Sequence, residues 1–319
     1  MSTGLIFITA LLVALAADRW LGEPPVRLHP VVWIGNYLGY VGAWVQRHTV
    51  QQQGVKDFKA FWLAALVWIA GAAIFSGVAL ALQFLLLGLP WWAAGGLLGL
   101  LLKPLLAWAM LKSEVQAVEA ALGESLDAGR ERLRWLVSRD VTQLTDTQVR
   151  ESAIETLAEN LNDSVVAPIF WFLLLGLPGA ALYRFANTAD AMWGYPGMYK
   201  GQNWAWAGKW AARVDDGLSY IPARITALLL AGLNGVGWRD LAREAVKTPS
   251  PNSGWPMAAM ALALGVGLRK PGVYVLNPQG RAAEAVDTKK AIFYASKALV
   301  ALVLLAQAAI VSIVFVGHS

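Results

Sequence analysis

The sequence predicts an all-α, polytopic membrane protein with about four spanning helices, several re-entrant or short buried helices, and a cytoplasmic helical layer. Three observations carry this. Hydrophobic residues fill 57% of the 319 positions and charged residues only 15%, against about 25% charged in an average soluble domain. Four apolar runs, 5–17, 61–87, 91–111 and 291–316, reach or approach the roughly 20 residues that cross a bilayer. With only those four crossing, the segments 18–60, 112–163, 183–224, 238–255 and 269–290 fall on one side and hold 24 of the 26 Lys and Arg residues. Such an excess marks the cytoplasmic face. Were all seven apolar runs to cross, the split would be 14 against 10. The whole chain, 1–319, is read as one integral membrane domain.

The elements follow in order. Leu5 to Ala17 is not preceded by the basic residues of a signal peptide, so it is read as a retained span. Gly22, Pro24, Pro25 and Pro30 make the next stretch, DRWLGEPPVRLHPVVWIGNYL, a structured loop that leads into an amphipathic segment ending near Arg47. Phe61 to Leu87 and Trp91 to Leu111 form a hairpin around the uncharged turn at 88–90, with Trp at one interface. Lys103 lies in the returning arm, about 20 Å past the turn, and is expected to snorkel to the far face. Residues 112–163 are polar with helical periodicity and form the cytoplasmic amphipathic segment. Three runs, 165–182, 221–237 and 254–268, are interrupted or preceded by Pro or Gly. Broken backbone of this kind persists at membrane depth only where protein or a watery cavity covers it. Ala291 to Val316 is the last span.

The chemistry concentrates in ESAIETLAENLND, 151–163. Glu151, Glu155 and Glu159 are spaced i, i+4, i+8 and stack on one helix face, where like charges repel. A cation must compensate them: Mg²⁺, arginines or both. Asn160 and Asp163 close the segment. A solvated acidic face paired with arginines between Arg130 and Arg139 is the plainer alternative. A second group, YRFANTADAMWGY, offers Arg184, Asn187 and Asp190, which can equally cap a helix end. A third, ARVDDGLSYIPAR, offers Arg213, Asp215, Asp216 and Arg224. An Asp pair suits a metal and two arginines suit phosphate or carboxylate, although an internal ion-pair network would look the same. Trp193, Trp204, Trp206 and Trp210 are read as interface anchors rather than stacking partners. SPNSGW, with Ser250 and Asn252, is a turn that either cradles an anion or caps the run after it. His29, before a Pro, is a base, a phosphate donor or a structural residue.

Some chemistries are excluded. There is no Cys, hence no disulfide or thiolate metal site. The three His, at 29, 48 and 318, are too scattered for a poly-His centre. The net charge of +5 marks topology rather than nucleic-acid binding. No P-loop, dinucleotide fingerprint, H-E-x-x-H or G-x-S-x-G is present.

Taken jointly, DRWLGEPPVRLHPVVWIG, the stretch from SRDVTQLTD through ETLAENLNDSVVAPIF to YRFANTADAMWGY, ARVDDGLSYIPAR and SPNSGWPMAAMALALGV resemble the CobD/CbiB family, the membrane-bound adenosylcobinamide-phosphate synthases. The order and spacing hold over 18–268. The resemblance implies an ATP-dependent carbon–nitrogen ligase of cobalamin biosynthesis. Such an enzyme joins adenosylcobyric acid to an amino-alcohol phosphate, (R)-1-aminopropan-2-ol phosphate or ethanolamine phosphate, at the cytoplasmic side of the bacterial inner membrane. It implies Mg²⁺ and ATP as cofactors, membrane lipid around the chain and contacts with other enzymes of the pathway. Under it, Glu155, Glu159, Asp216 and His29 are catalytic. Glu155, Glu159, Asp163, Asp190 and Asp215 hold metal. Asn160, Arg184, Asn187, Arg213, Arg224, Ser250 and Asn252 bind substrate. A divergent branch acts as a sensor in β-lactamase induction, but HPV, AR-DD-PAR and SPN-GW favour the biosynthetic branch. Two rivals rank lower: a transferase acting on a diphosphate lipid, which lacks the paired Asp-rich motifs, and a transporter subunit, whose site would lie near the midplane.

Overall fold

The computed structural model describes residues 2–52 and 54–316. Among these described residues the chain is helical with two short hairpins, and four segments are long and apolar enough to cross a membrane: Thr3–Leu21, Phe58–Leu87, Trp91–Glu124 and Ala285–Ser312. Its contacts gather into two compact units, one of 1–106, 167–218 and 313–319, the other of 107–166 and 219–312.

The first unit opens with α1 (Ser2–Leu21), which packs extensively on α4 (Trp91–Leu102). Gly95 and Gly99 permit this, since a Cβ at Gly95 would meet Thr9 and one at Gly99 would meet Val13. The expected end of the first span at Ala17 is corrected: α1 continues through Asp18, which is buried. After the proline loop, α2 (Pro30–Gln46) starts on the Nδ1 of His29, which accepts the Val31 amide at 3.2 Å. The long α3 (Phe58–Leu87) starts on Asp57, whose carboxylate accepts the Ala60 amide. The returning arm is not continuous. It breaks at Lys103–Leu105, a 3₁₀ turn with Pro104, because proline removes a backbone donor and clashes with the preceding turn.

Later chain completes the first unit: α8 (Ala167–Leu175), α9 (Leu177–Trp193), a hairpin of β1 (Met198–Tyr199) and β2 (Gln202–Asn203), and the first half of α10 (Lys209–Gly232). The predicted break in 165–182 falls at Gly176. Its φ of +73° is a backbone state that a side chain would resist, and its neighbour Leu177 donates its amide to Gln83 Oε1 at 2.7 Å. Here α2, α3 and α9 share a core of Ile34, Leu38, Trp68, Phe185, Trp193 and Trp204. Trp193 and Trp204 stack at 5.6 Å and are buried, so the reading of these two as interface anchors is corrected. Two large rings gain more by leaving water entirely than by straddling an interface. Trp210 packs edge-on against Trp68 and Phe61, and Trp206 lies under Lys209.

The second unit contains the polar helices α5 (Trp108–Glu124), α6 (Leu126–Leu133) and α7 (Asp146–Leu161). Thr145 and Gln148 form a capping box at the start of α7, satisfying two orphan donors reciprocally. The end of α7 loosens into a π-helical turn, Asn162–Val166, and the carbonyl of Ser164 there accepts the Ala107 amide. The rest of the unit is the second half of α10, then α11 (Trp238–Ala245), α12 (Gly254–Leu264), the hairpin β3 (Leu268–Lys270) with β4 (Tyr274–Leu276), and α13 (Ala285–Val316). Both α12 and β3 pack on α7. At its start α13 is fixed by Asp287, which takes a bidentate pair from Arg281 at 2.6 and 2.7 Å and the Glu284 amide at 2.9 Å.

Candidate active site

In the second unit, the acidic face of α7 is largely buried rather than solvated: Glu151 is 0% exposed and Glu155 4%, while Glu159 is half-buried. Each buried carboxylate has an arginine. Arg269, on β3, reaches Glu151 Oε1 at 2.5 Å. Arg139, in the loop before α7, donates to Glu155 Oε2 at 3.1 Å and to the Ser152 hydroxyl. The compensation demanded by three stacked carboxylates thus comes in good part from arginine. Of the residues between Arg130 and Arg139, only Arg139 makes the expected pair; Arg130 reaches the Leu144 carbonyl and Arg132 reaches Glu114.

Loop, helix and hairpin enclose an open polar cleft in this unit. Its lining includes Arg139, Glu155, Glu159, Asn160, Lys270 and Tyr274. Burial pushes the Glu155 carboxyl above its ordinary range, with Arg139 pulling the other way. Glu151 is raised by burial too, against the pull of Arg269. Tyr274 is shifted far upward, first by burial and then by the charges of Glu155 and Glu159, so its hydroxyl stays a donor. Such shifts are frequent where titratable groups do chemistry. Sequence reasoning missed Arg139, Lys270 and Tyr274 as site residues. The readable signal was SRD just ahead of the acidic helix and the basic Arg269-Lys270 pair after the apolar run.

Asn160, Asn162 and Asp163 form the loosened end of α7. Asn160 donates to the Thr156 carbonyl at 3.1 Å, while Asn162 donates to Asp163 at 2.7 Å and accepts from Thr226 at 3.2 Å. π-helical turns inside α-helices often sit at functional sites. Also in the second unit, Arg224 is tied into the SPNSGW turn. It donates to Asn252 Oδ1 at 2.6 Å and to the Pro251 carbonyl at 3.0 Å, and lies over Tyr220 and Trp255. Ser250 accepts the amides of Asn252 and Ser253 at 3.2 Å. Gly254 is required there because a Cβ would strike the Ala245 carbonyl of α11. The turn and Arg224 are brought together, with much of the guanidinium already occupied.

The remaining candidates belong to the first unit. Arg184 and Asn187 touch at 3.5 Å within α9, and Asp190 lies in its last turn, beside the capping Gly194. Neither Asn187 nor Asp190 sits at the start of α9, so neither caps its N-terminus. Arg213 is exposed, and Asp215 and Asp216 are half-buried on α10; burial raises Asp216 above the ordinary carboxylate range. His29 uses both ring nitrogens. With Nδ1 accepting the Val31 amide, the ring proton sits on Nε2, 3.2 Å from Glu23 Oε2. Lys103 does not snorkel as expected. It is buried, with Nζ 2.6 Å from Glu23 and 3.9 Å from Asp18, because paired carboxylates within protein satisfy it better than a stretched path past lipid.

Among the described residues no three His, Cys, Asp or Glu side chains converge to hold a metal; His318 lies outside them. A protein-only cage is therefore not built. A hard cation that takes one or two carboxylates and completes its shell from substrate phosphates fits Glu159 and Glu155 at the cleft.

The fold and site define a polytopic helical membrane protein whose buried acidic helix is held by arginines beside a mixed-charge cleft. The chain belongs to the CobD/CbiB family: the family model described as CobD/Cbib protein matches residues 11–304. It is 41% identical over 290 residues to the probable cobalamin biosynthesis protein CobD of Methanothermobacter thermautotrophicus, covering 89% of this chain and 90% of that one. It is 41% identical over 264 residues to the cobalamin biosynthesis protein CobD of Chromobacterium violaceum, covering 80% and 79%. With that of Rhizobium meliloti it shares 39% over 315 residues, covering 90% and 92%. No solved structure matches the chain.

Proposed function

We propose that this protein is a membrane-bound ligase of cobalamin biosynthesis, joining adenosylcobyric acid to an amino-alcohol phosphate with consumption of ATP. It would face the cytoplasm of a bacterial inner membrane. The observation that carries the reading is the cleft on α7, where two cations, Arg139 and Lys270, stand with two carboxylates, Glu155 and Glu159, and a tyrosine held protonated. Both substrates are anionic and both contribute a group that must change its proton or phosphate state, which is the demand such a mixture meets.

A carboxylate is a poor acyl donor until its oxygen becomes a leaving group, and phosphoryl transfer from a nucleoside triphosphate supplies this. The amine then attacks the acyl carbon, the C–N bond forms and phosphate departs. In this reading Arg139 and Lys270 hold phosphate oxygens, as charge-assisted donors do best. Glu159, the less buried carboxylate, takes the ammonium proton, as a positioned carboxylate can. Glu155 keeps Arg139 aimed. Tyr274 donates to an anionic oxygen. A bound Mg²⁺ would supply neutralisation of phosphate charge, with Glu159 and Glu155 as its protein ligands. Arg184, Asn187, Asp190, Arg213, Asp215 and Asp216 remain candidates for binding the other parts of the substrates.

The test is purified protein in detergent with adenosylcobyric acid, aminopropanol phosphate, Mg²⁺ and ATP, each omitted in turn, and mass spectrometry of the product. The amide should appear only in the full mixture. Amide without ATP would retain the substrates and discard the phosphoryl step. No amide from folded protein with either amino-alcohol phosphate would overturn the ligase reading in favour of a sensor.

A further inference from the structure

A second groove in the same unit, of about 680 Å³, runs between α5 and α13 and plays no part in the proposed reaction. Its lining includes Lys112, Gln116, Ala120, Lys289, Ile292 and Phe293. Glu119 also borders it, but that carboxylate is already matched. It pairs with Arg150 at 2.9 Å and accepts the Thr288 hydroxyl at 2.7 Å. Among the described residues neither lysine has an ion pair, so the groove presents two cations beside a carboxylate that is already matched.

The lysines also sit at a boundary in the sequence. Lys112 is the first charge after the uncharged run 104–111, and Lys289 with Lys290 are the last before the run 291–296. Both belong to segments apolar and long enough to cross a membrane. From Phe293 in the groove, Val300 and Leu304 follow at i+7 and i+11 on one face of α13, and the three are 58%, 58% and 64% exposed. The pattern is a cationic head position continued by an apolar rail. Soluble anions need only the first part.

We propose that this groove seats an anionic phospholipid, its headgroup phosphate between Lys112 and Lys289 and an acyl chain along Phe293, Val300 and Leu304. Lysines at the bilayer surface attract anionic lipid, and a groove between two such helices adds a defined place for it.

The test uses the full chain in nanodiscs of equal phosphatidylcholine and phosphatidylglycerol, released into native mass spectrometry, with retained lipids counted. Phosphatidylglycerol should be retained about tenfold over phosphatidylcholine. The ratio should fall to near one in Lys112→Gln/Lys289→Gln and stay high in Lys112→Arg/Lys289→Arg and in the control pair Lys56→Gln/Lys59→Gln. Unchanged melting temperature would show that the glutamine pair is folded. No enrichment in the wild type, or enrichment untouched by the glutamine pair, would overturn the proposal. So would displacement of the lipid by millimolar inorganic phosphate, since the site would then recognise free phosphate rather than a lipid.

Discussion

Two buried ion-pair groups, one in each unit, use the same chemistry in different surroundings. In the first unit Lys103 lies against Glu23 and Asp18, and Glu23 also meets His29. A cavity of that unit, lined by Leu28, Pro30, Trp33, Phe75, Pro104 and Leu105 among others, is apolar. In the second unit Arg139 and Glu155 face a cleft whose other walls are Glu159, Asn160, Lys270 and Tyr274. A buried charge is costly unless paired, so both groups must be complete for the chain to fold well. The second offers polar groups to a ligand. The first ties a loop to a helix end; the second has capacity left over for chemistry.

That contrast can be broken in order of effect. Arg139→Ala removes a phosphate donor in our reading and should lower kcat/KM for amide formation by about a hundredfold. The assay is steady-state turnover beside a thermal melt, and a change below threefold would erase the distinction between the two groups. Lys103→Met leaves Glu23 and Asp18 without their cation and should cost about 3 kcal/mol of stability. The protein that remains folded should turn over normally. Thermal unfolding in detergent measures the first quantity and specific activity the second. Arg224→Ala frees the SPNSGW turn and should cost about 1–2 kcal/mol, again read from the melt. The smallest effect is a shift in pH dependence. Burial raises Glu155 and Glu151, so between their ordinary and raised values the folded chain binds more protons than the unfolded one. Their contribution to stability therefore falls as pH rises through that interval. Arg139→Gln removes the charge that opposes the rise at Glu155 and should extend the interval upwards, which melts recorded from pH 5 to 8 would detect.

Much of this was readable in the residues. The four apolar runs mark the segments long and apolar enough to cross a membrane, and Gly176 and Pro178 announced the break between α8 and α9. The 4-residue spacing of Glu151, Glu155 and Glu159 placed them on one face and required cations. It could not say which, because Arg269 lies 118 residues from Glu151. Lys103 misled for the same reason. Its partners Asp18 and Glu23 are distant in sequence, so a lone lysine in an apolar arm looked destined for the interface. Trp193 and Trp204 misled because tryptophan types alone do not separate a core stack from a membrane belt. The motifs that carried the family resemblance needed no such knowledge, since they are local and dense.

The most direct measurement is amide formation by Glu159→Gln. Glu159 lines the cleft and is its more exposed carboxylate, and a thermal melt recorded beside the assay separates lost chemistry from lost folding. The account predicts that the protein which remains folded gives at least a hundredfold less product. Wild-type turnover by Glu159→Gln would contradict the placement of the active site on α7.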